Sequence, residues 1–306
     1  MSNQHQENGT SSPSDKDWAL SQYDGPDKVI SSFEMSKILE AQGHRVKKFQ
    51  TGIMGLDAAV DGIQTGELIA IGGPRKNGKT LVAQTITCEL IKQGVDVLWL
   101  SYEVGMEQFI SSMPEGVKFY IPKKLQASDL DWLELRVREG KIKYQTRVVF
   151  IDNLHFLLDL AKARNVSLDI GQIIRKLKRM AIEHDLVMFI LCHSRKMEMD
   201  KDGKPKEISD WDMRDSSFIP QESDTTWMVQ RYVDDNGRQL AMLKVCCHRR
   251  TGVIDSRITL IKSGKLLIEW FDGTESKGVK CQEDQSNISL SASERNDSIE
   301  TETLAF

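Results

Sequence analysis

Residues 73–80 read Gly73-Pro74-Arg75-Lys76-Asn77-Gly78-Lys79-Thr80. An apolar run, Leu68-Ile69-Ala70-Ile71-Gly72, precedes them and reads as a buried strand. Leu81 to Ile91 follow, with apolar residues at helical spacing. Strand, glycine loop and helix are the setting in which G-x-x-x-x-G-K-T wraps phosphate. The glycines let backbone N–H groups turn inward around phosphate oxygens, and the helix N-terminus adds partial positive charge. The pattern predicts that residues 73–80 bind ATP or GTP. In that role Lys79 reaches the β- and γ-phosphates and Thr80 holds Mg²⁺. The competing reading is a tight strand–helix turn with an incidental lysine.

Outward from this loop, the chain alternates strands and helices from about 49 to 271. The fold class predicted is α/β, a mostly parallel twisted sheet with helices on both faces. Strands are predicted at 67–72, 95–101, 147–152 and 186–192, then near 225–230, 239–247 and 256–262. The last three lie close together, which points to an antiparallel edge. The strand at 95–101 is expected to neighbour the P-loop strand, because one helix connects them.

The flanks differ in composition. Residues 1–26 form a polar segment expected to be disordered. Residues 27–48 hold a predicted linker helix over 27–41, with Asp27 as its N-cap. Residues 272–306 are Ser-rich and acidic and are also expected to be disordered.

The chain has 306 residues, 40% hydrophobic and 28% charged, with net charge −4. Charge alone argues against a nucleic-acid partner. The tail after Trp270 carries net −5, however, and leaves the rest at +1. A near-neutral body can bind DNA if its bases cluster. No run reaches membrane-span length, and the N-terminus lacks the pattern of a secretion signal. An intracellular location (cytoplasm, nucleoid or a DNA-containing organelle) is expected, with no membrane association. Five cysteines without a C-x-x-C pair argue against a zinc site. Cys88 and Cys192 fall in apolar segments and are expected to be buried thiols.

Three further strand ends carry chemistry. Val148-Val149-Phe150-Ile151 leads into Asp152, a carboxylate that can hold Mg²⁺ beside the P-loop. Val97-Leu98-Trp99-Leu100-Ser101-Tyr102 leads to Glu103, which can activate water for attack on the γ-phosphate; the alternative is a carboxylate that favours a helix dipole. Leu186 to Cys192 leads to His193, which is either structural or a sensor of the γ-phosphate. Arg249 and Arg250, ahead of Gly252, are a surface hairpin pair or a reach toward a neighbour's phosphates; spacing leaves both open.

Together these segments resemble the RecA-superfamily hexameric replicative helicases, the DnaB type and more closely the Twinkle type. The likeness spans about residues 49–271. It rests on Thr51–Asp57 and Gly62–Leu68 leading into the P-loop, Leu100–Gln108 around Glu103, and Arg175–Ala181 before the sensor strand. His193-Ser194-Arg195-Lys196 is similar to the Twinkle sensor segment, and Met213–Asp224 to the channel-lining loop.

The resemblance implies a RecA-like P-loop ATPase and DNA helicase acting in replication, forming a homo-hexamer around single-stranded DNA. It also implies a separate primase, loader or polymerase. Glu103, Lys79, His193 and a trans-acting Arg249 would be catalytic, Thr80 and Asp152 would hold the metal, and the linker helix would clasp a neighbour. DNA contacts would come from Arg195, Lys196, Arg214, Ser216 and Ser217, with Lys201, Lys204 and Lys206 as further cations; for the lysines a solvated loop is the alternative. Ser217 stands where the family usually carries Gly, and Pro220 is expected to stiffen the loop. A primase-like region normally precedes such a domain, and with about fifty residues ahead of it here no priming activity is expected. Two other readings remain: a filament-forming recombination ATPase, and a regulatory ATPase that never unwinds DNA.

Overall fold

The computed structural model describes residues 15–41, 46–127, 129–158, 165–195, 206–213, 217–271 and 274–275. Helices α1 (Asp15–Ser21) and α2 (Ser32–Ala41) come first. They are followed by β1 (Lys48–Phe49), α3 (Met54–Val60), β2 (Ile63–Gln64), β3 (Leu68–Gly72), α4 (Lys79–Lys92), β4 (Val97–Ser101) and α5 (Met106–Ser112). Next are α6 (Leu130–Tyr144), β5 (Val148–Asp152), α7 (Val166–Glu183), β6 (Val187–Leu191) and α8 (Phe218–Glu222). The chain continues through β7 (Thr225–Val233), β8 (Gln239–His248), β9 (Ile254–Ser263), β10 (Leu266–Phe271) and β11 (Thr274–Glu275). Strands β1 and β2 pair as a small separate sheet.

The nine-stranded sheet has the order β11-β10-β9-β8-β7-β3-β6-β5-β4. Strands β7, β3, β6, β5 and β4 are parallel, and β8 to β11 add in antiparallel fashion. Strands β3 to β6 are buried at every position. Covering both faces of a parallel sheet requires such continuous apolar runs. Alternate residues divide between two cores. Ile69, Ile71, Trp99, Phe150 and Phe189 face α3, α4 and α5. Leu68, Ala70, Leu100, Ile151 and Ile190 face α6, α7 and α8.

The first core contains an aromatic ladder. Trp99 stacks on Phe150 at 4.6 Å, and Phe150 on Phe189 at 4.4 Å. The Trp99 indole N–H donates to Thr87 Oγ1 at 2.9 Å, which fixes α4 over the sheet. Phe150 is fully buried at the middle of the ladder. Phe150→Ala is expected to cost about 3–5 kcal/mol, because the cavity left there cannot collapse against a stacked neighbour on each side. A chemical-denaturation midpoint unchanged from wild type would contradict that.

Three expectations need correction. First, β4 does not neighbour β3. It lies at the edge of the sheet, with β6 and β5 between them. One helical crossover can skip strand positions, and β5 and β6, formed later in the chain, fill the gap. Second, the helix predicted over 27–41 begins at Ser32. Ser31 Oγ, not Asp27, accepts the Glu34 N–H, at 3.2 Å. That helix has no buried residue, and Phe33 is 82% exposed. Third, part of the expected 213–224 loop is ordered structure. Met213 bridges Ser194, and α8 packs on α7 through fully buried Ile219. Pro220 sits in the first turn of α8, where its missing N–H has no intrahelical acceptor to lose.

Strand β10 was not among the expected strands. It closes a turn at Gly264, whose φ of 56° suits a residue without Cβ. The signal was a Ser-Gly-Lys turn between two apolar runs. Cys88 and Cys192 are buried, as expected. Among the described residues no helix is long and apolar enough to cross a membrane. Residues 1–14 and 276–306, and with them the expectation of disorder there, lie outside the described residues.

Candidate nucleotide site

The loop after β3 turns sharply because its glycines permit it. Gly73 has φ 149°, and a Cβ there would stand 2.3 Å from the Val229 carbonyl oxygen of β7. Any side chain would push the loop off the sheet. Gly78, at φ 98°, leads directly into α4. Asn77 ties the loop down: its amide donates to Arg75 O at 3.0 Å, and its Oδ1 accepts the Arg231 N–H at 2.8 Å. Arg75 and Lys76 are exposed.

Lys79 is buried, and its ammonium donates to the carbonyls of Gly73 (3.0 Å) and Pro74 (2.9 Å). An ammonium has three donors, so one is left for an anion. Burial lowers its pKa, and the nearby Glu103 and Asp152 carboxylates oppose that shift. The Thr80 hydroxyl donates to Asp152 Oδ2 at 2.7 Å.

Asp152 is 1% exposed, and its pKa is pushed up to about 6. Burial is the main cause; the Thr80 bond works against it, and Glu103 adds to it. Its second oxygen, Oδ1, is buried without a hydrogen-bond partner among the described residues. A buried carboxylate oxygen without a donor, beside a threonine hydroxyl, fits Mg²⁺. That ion takes one or two protein oxygens together with phosphate and water. Among the described residues no cluster of three or more His, Cys, Asp or Glu could hold a metal on its own.

Although β4 is two strands removed from β3, Glu103 still reaches the site. Its N–H donates to Asp152 O at 3.2 Å, which holds the β4 tip against the β5 tip. Its carboxylate lies 3.7 Å from His193 Nε2. The end of β6 is tied to the loop by Ser194 N–H donating to Gly73 O at 3.0 Å. Burial and the nearby Lys79 charge lower the His193 pKa to about 4, so the ring is neutral at pH 7. Lys79, Thr80, Glu103 and Asp152 line one cleft of about 370 Å³.

Three residues of this neighbourhood were missed in the sequence. Arg231, from β7, lines the same cleft, as does Gln84 of α4. Asn153 bridges Glu103 and His193. Asn153 was visible as the residue after Asp152, but a strand-end Asn alone carries no role. For Arg231 the position on a strand far along the chain gave no signal.

Arg249 and Arg250 part company. Arg250 is clamped: it donates to Glu67 (2.9 Å), Asp61 (2.9 Å), and the carbonyls of Val60 (2.8 Å) and Gly62 (2.7 Å). Arg249 keeps 60% of its side chain exposed, and among the described residues that side chain meets its own Gln221 O (3.1 Å) and Asp224 (3.7 Å). Register puts it at the wrong end for its own nucleotide. His248 pairs with Thr225, and Thr225 with Ile69, at the start of β3, whereas the P-loop leaves the far end of that strand beside Val229. Five residues from Asp224 to Val229, at about 3.3 Å each, separate the two by roughly 16 Å.

Of the DNA-contact candidates, Arg195 and Ser217 are exposed. Lys196, Lys201, Lys204, Arg214 and Ser216 lie outside the described residues.

A family model described as the DnaB-like helicase C-terminal domain matches residues 111–263, half of the chain. The chain belongs to the DnaB-like helicase C-terminal domain family. The P-loop and Glu103 fall before the matched stretch, so their place in this DnaB-like domain rests on the geometry above. A probable plasmid replicative DNA helicase of Chlamydia psittaci is 27% identical over 214 residues, covering 59% of this chain and 46% of that protein. A replicative DNA helicase DnaB of Rickettsia typhi is 25% identical over 239 residues, covering 64% and 47%. The chain thus spans about half the length of these curated relatives. Among solved structures, one described as an ATPase domain superposes with TM-score 0.60 at 21% identity, covering 74% of this chain and 92% of that one. A DnaB-like replicative helicase, solved for its interactions with primase, gives TM-score 0.60 at 20% identity, covering 79% and 68%. At these identities the two structures speak for the fold.

Proposed function

We propose that this chain is an ATP-driven, ring-forming DNA helicase motor that works inside the cell in DNA replication. The observation that supports the reading is that the P-loop cluster and the exposed Arg249 stand at opposite ends of the parallel strands. Lys79, Thr80, Asp152, Glu103 and His193 gather at one end of the parallel strands. Arg249 stands exposed at the other. A second copy has to bring its Arg249 to the first copy's cleft before the phosphate charge is fully met. Arginine suits that role, because its planar fork neutralises charge spread over phosphate oxygens.

Within the site, Lys79 and the loop N–H groups hold the triphosphate, and Thr80 and Asp152 hold Mg²⁺. The metal supplies charge neutralisation on the phosphates. Glu103 accepts the proton of the attacking water, and His193 reports the state of the γ-phosphate. His193 continues through Ser194 into Arg195 and the segment before Met213, so hydrolysis biases the surface that grips DNA. Repeated head-to-tail contact of this kind builds a hexameric ring around single-stranded DNA. Exposed α2, with its unpacked Phe33, clasps the neighbour. A separate primase, loader or polymerase acts with the ring. Binding to the DNA backbone falls as salt rises.

The test is ATP-driven displacement of a labelled strand from a fork, with Lys79→Ala as control. Wild type is expected to displace the strand and the control is not. A wild type that hydrolyses ATP with DNA stimulation yet leaves the fork intact sinks the helicase reading.

A further inference from the structure

We propose that Asn153 is the positioning residue that ties the sensor histidine to the catalytic glutamate. This deepens the ATPase reading above and rests on it. Asn153 is 2% exposed, and every polar atom of its side chain is engaged. Its Oδ1 accepts the His155 N–H at 3.1 Å. Only the carbonyl end of the amide can face that donor, so its orientation is fixed. The NH₂ end therefore faces Glu103 Oε2 at 3.3 Å and His193 Nε2 at 3.0 Å. It carries two hydrogens, one for each partner.

Two consequences follow from that single amide. A ring nitrogen that accepts must hold a lone pair, so the proton of neutral His193 sits on Nδ1. That Nδ1 is buried and has no hydrogen-bond partner among the described residues. It is the ring donor that His193 has in reserve. The same amide anchors one oxygen of Glu103 and leaves the other for water. A change in the bonding of His193 therefore moves Asn153, and Glu103 with it. Sensor and base are linked through one side chain and do not respond separately.

The test uses the full chain and two variants. Asn153→Asp keeps the shape and the acceptor for His155 but loses the donor. Asn153→Ala loses the donor without adding charge. Both are expected to lower kcat for ATP by about 100-fold, the lower end of what a positioned base contributes. KM for ATP should move by less than about threefold, since the P-loop is untouched. The ¹⁵N spectrum of the imidazoles, with His193 assigned through His193→Gln, is expected to show the Nδ1–H form in wild type and the Nε2–H form in Asn153→Asp.

A kcat for Asn153→Ala within about threefold of wild type overturns the proposal, as does a rise in KM that accounts for the loss. So does a wild-type His193 protonated on Nε2. Glu103→Gln is measured alongside. If its kcat stays within about threefold of wild type, the site reading itself fails. If it is dead while Asn153→Ala is active, only the coupling fails.

Discussion

Arg249→Ala should lower ATP turnover by about 10³–10⁵-fold, the range associated with an arginine supplied from a neighbouring subunit. Thermal stability should hardly change, because the side chain is 60% exposed and its contacts among the described residues are a carbonyl at 3.1 Å and a carboxylate at 3.7 Å. Exposed pairs of this kind contribute little. Arg249→Lys should recover only a small part of the loss. An ammonium keeps the charge but lacks the fork that meets two phosphate oxygens at once. The decisive measurement mixes two dead proteins. Lys79→Ala has a ruined loop and a sound arginine, and Arg249→Ala the reverse. Mixed oligomers contain junctions in which a sound loop meets a sound arginine, so ATPase activity should return. If the mixture stays dead while both variants fold and associate, Arg249 does not act in trans.

Glu103→Gln should lower kcat by about 10²–10⁴-fold, the contribution of a positioned general base. The substitution keeps the length of the side chain, and the backbone bond from residue 103 to Asp152 O survives. Nucleotide affinity, set by Lys79 and the loop, should therefore hold. A fluorescent ATP analogue separates the two quantities. Loss of binding in step with loss of turnover would show that Glu103 shapes the cleft and does no proton chemistry. The 3.7 Å separation of Glu103 from His193, with Asn153 between them, favours the chemical role.

How much of this was legible beforehand varies with the range of the interaction. The P-loop was readable because eight contiguous residues and their flanks encode it. Strands β3 to β6 were readable because a doubly covered strand has to be apolar throughout. The neighbour relation of β4 was not, because sheet order depends on strands that come later in the chain. The bounds of α2 were missed because Asp27 and Ser31 are both competent caps, and only the structure shows which oxygen meets an amide. The segment around Pro220 reads as a loop from its composition; packing of Phe218 and Ile219 against α7 makes it a helix. Spacing left Arg249 and Arg250 open, the resemblance singled out Arg249, and the clamping of Arg250 was not legible at all. Two adjacent arginines are equivalent on paper, and the carbonyls of Val60 and Gly62 lie nearly two hundred residues away in the chain.

The placement of Arg249 at the far end of the strands from Lys79 has a consequence for assembly. If Arg249 acts in trans as proposed, a protomer would have a giving surface and a receiving surface at opposite strand ends, and a symmetric pair sharing one patch would leave both receiving sides unmet. Association of this sort is heterologous and ends only when the last copy meets the first. Catalysis per chain should then rise steeply with concentration and collapse on dilution, long before any single molecule unfolds.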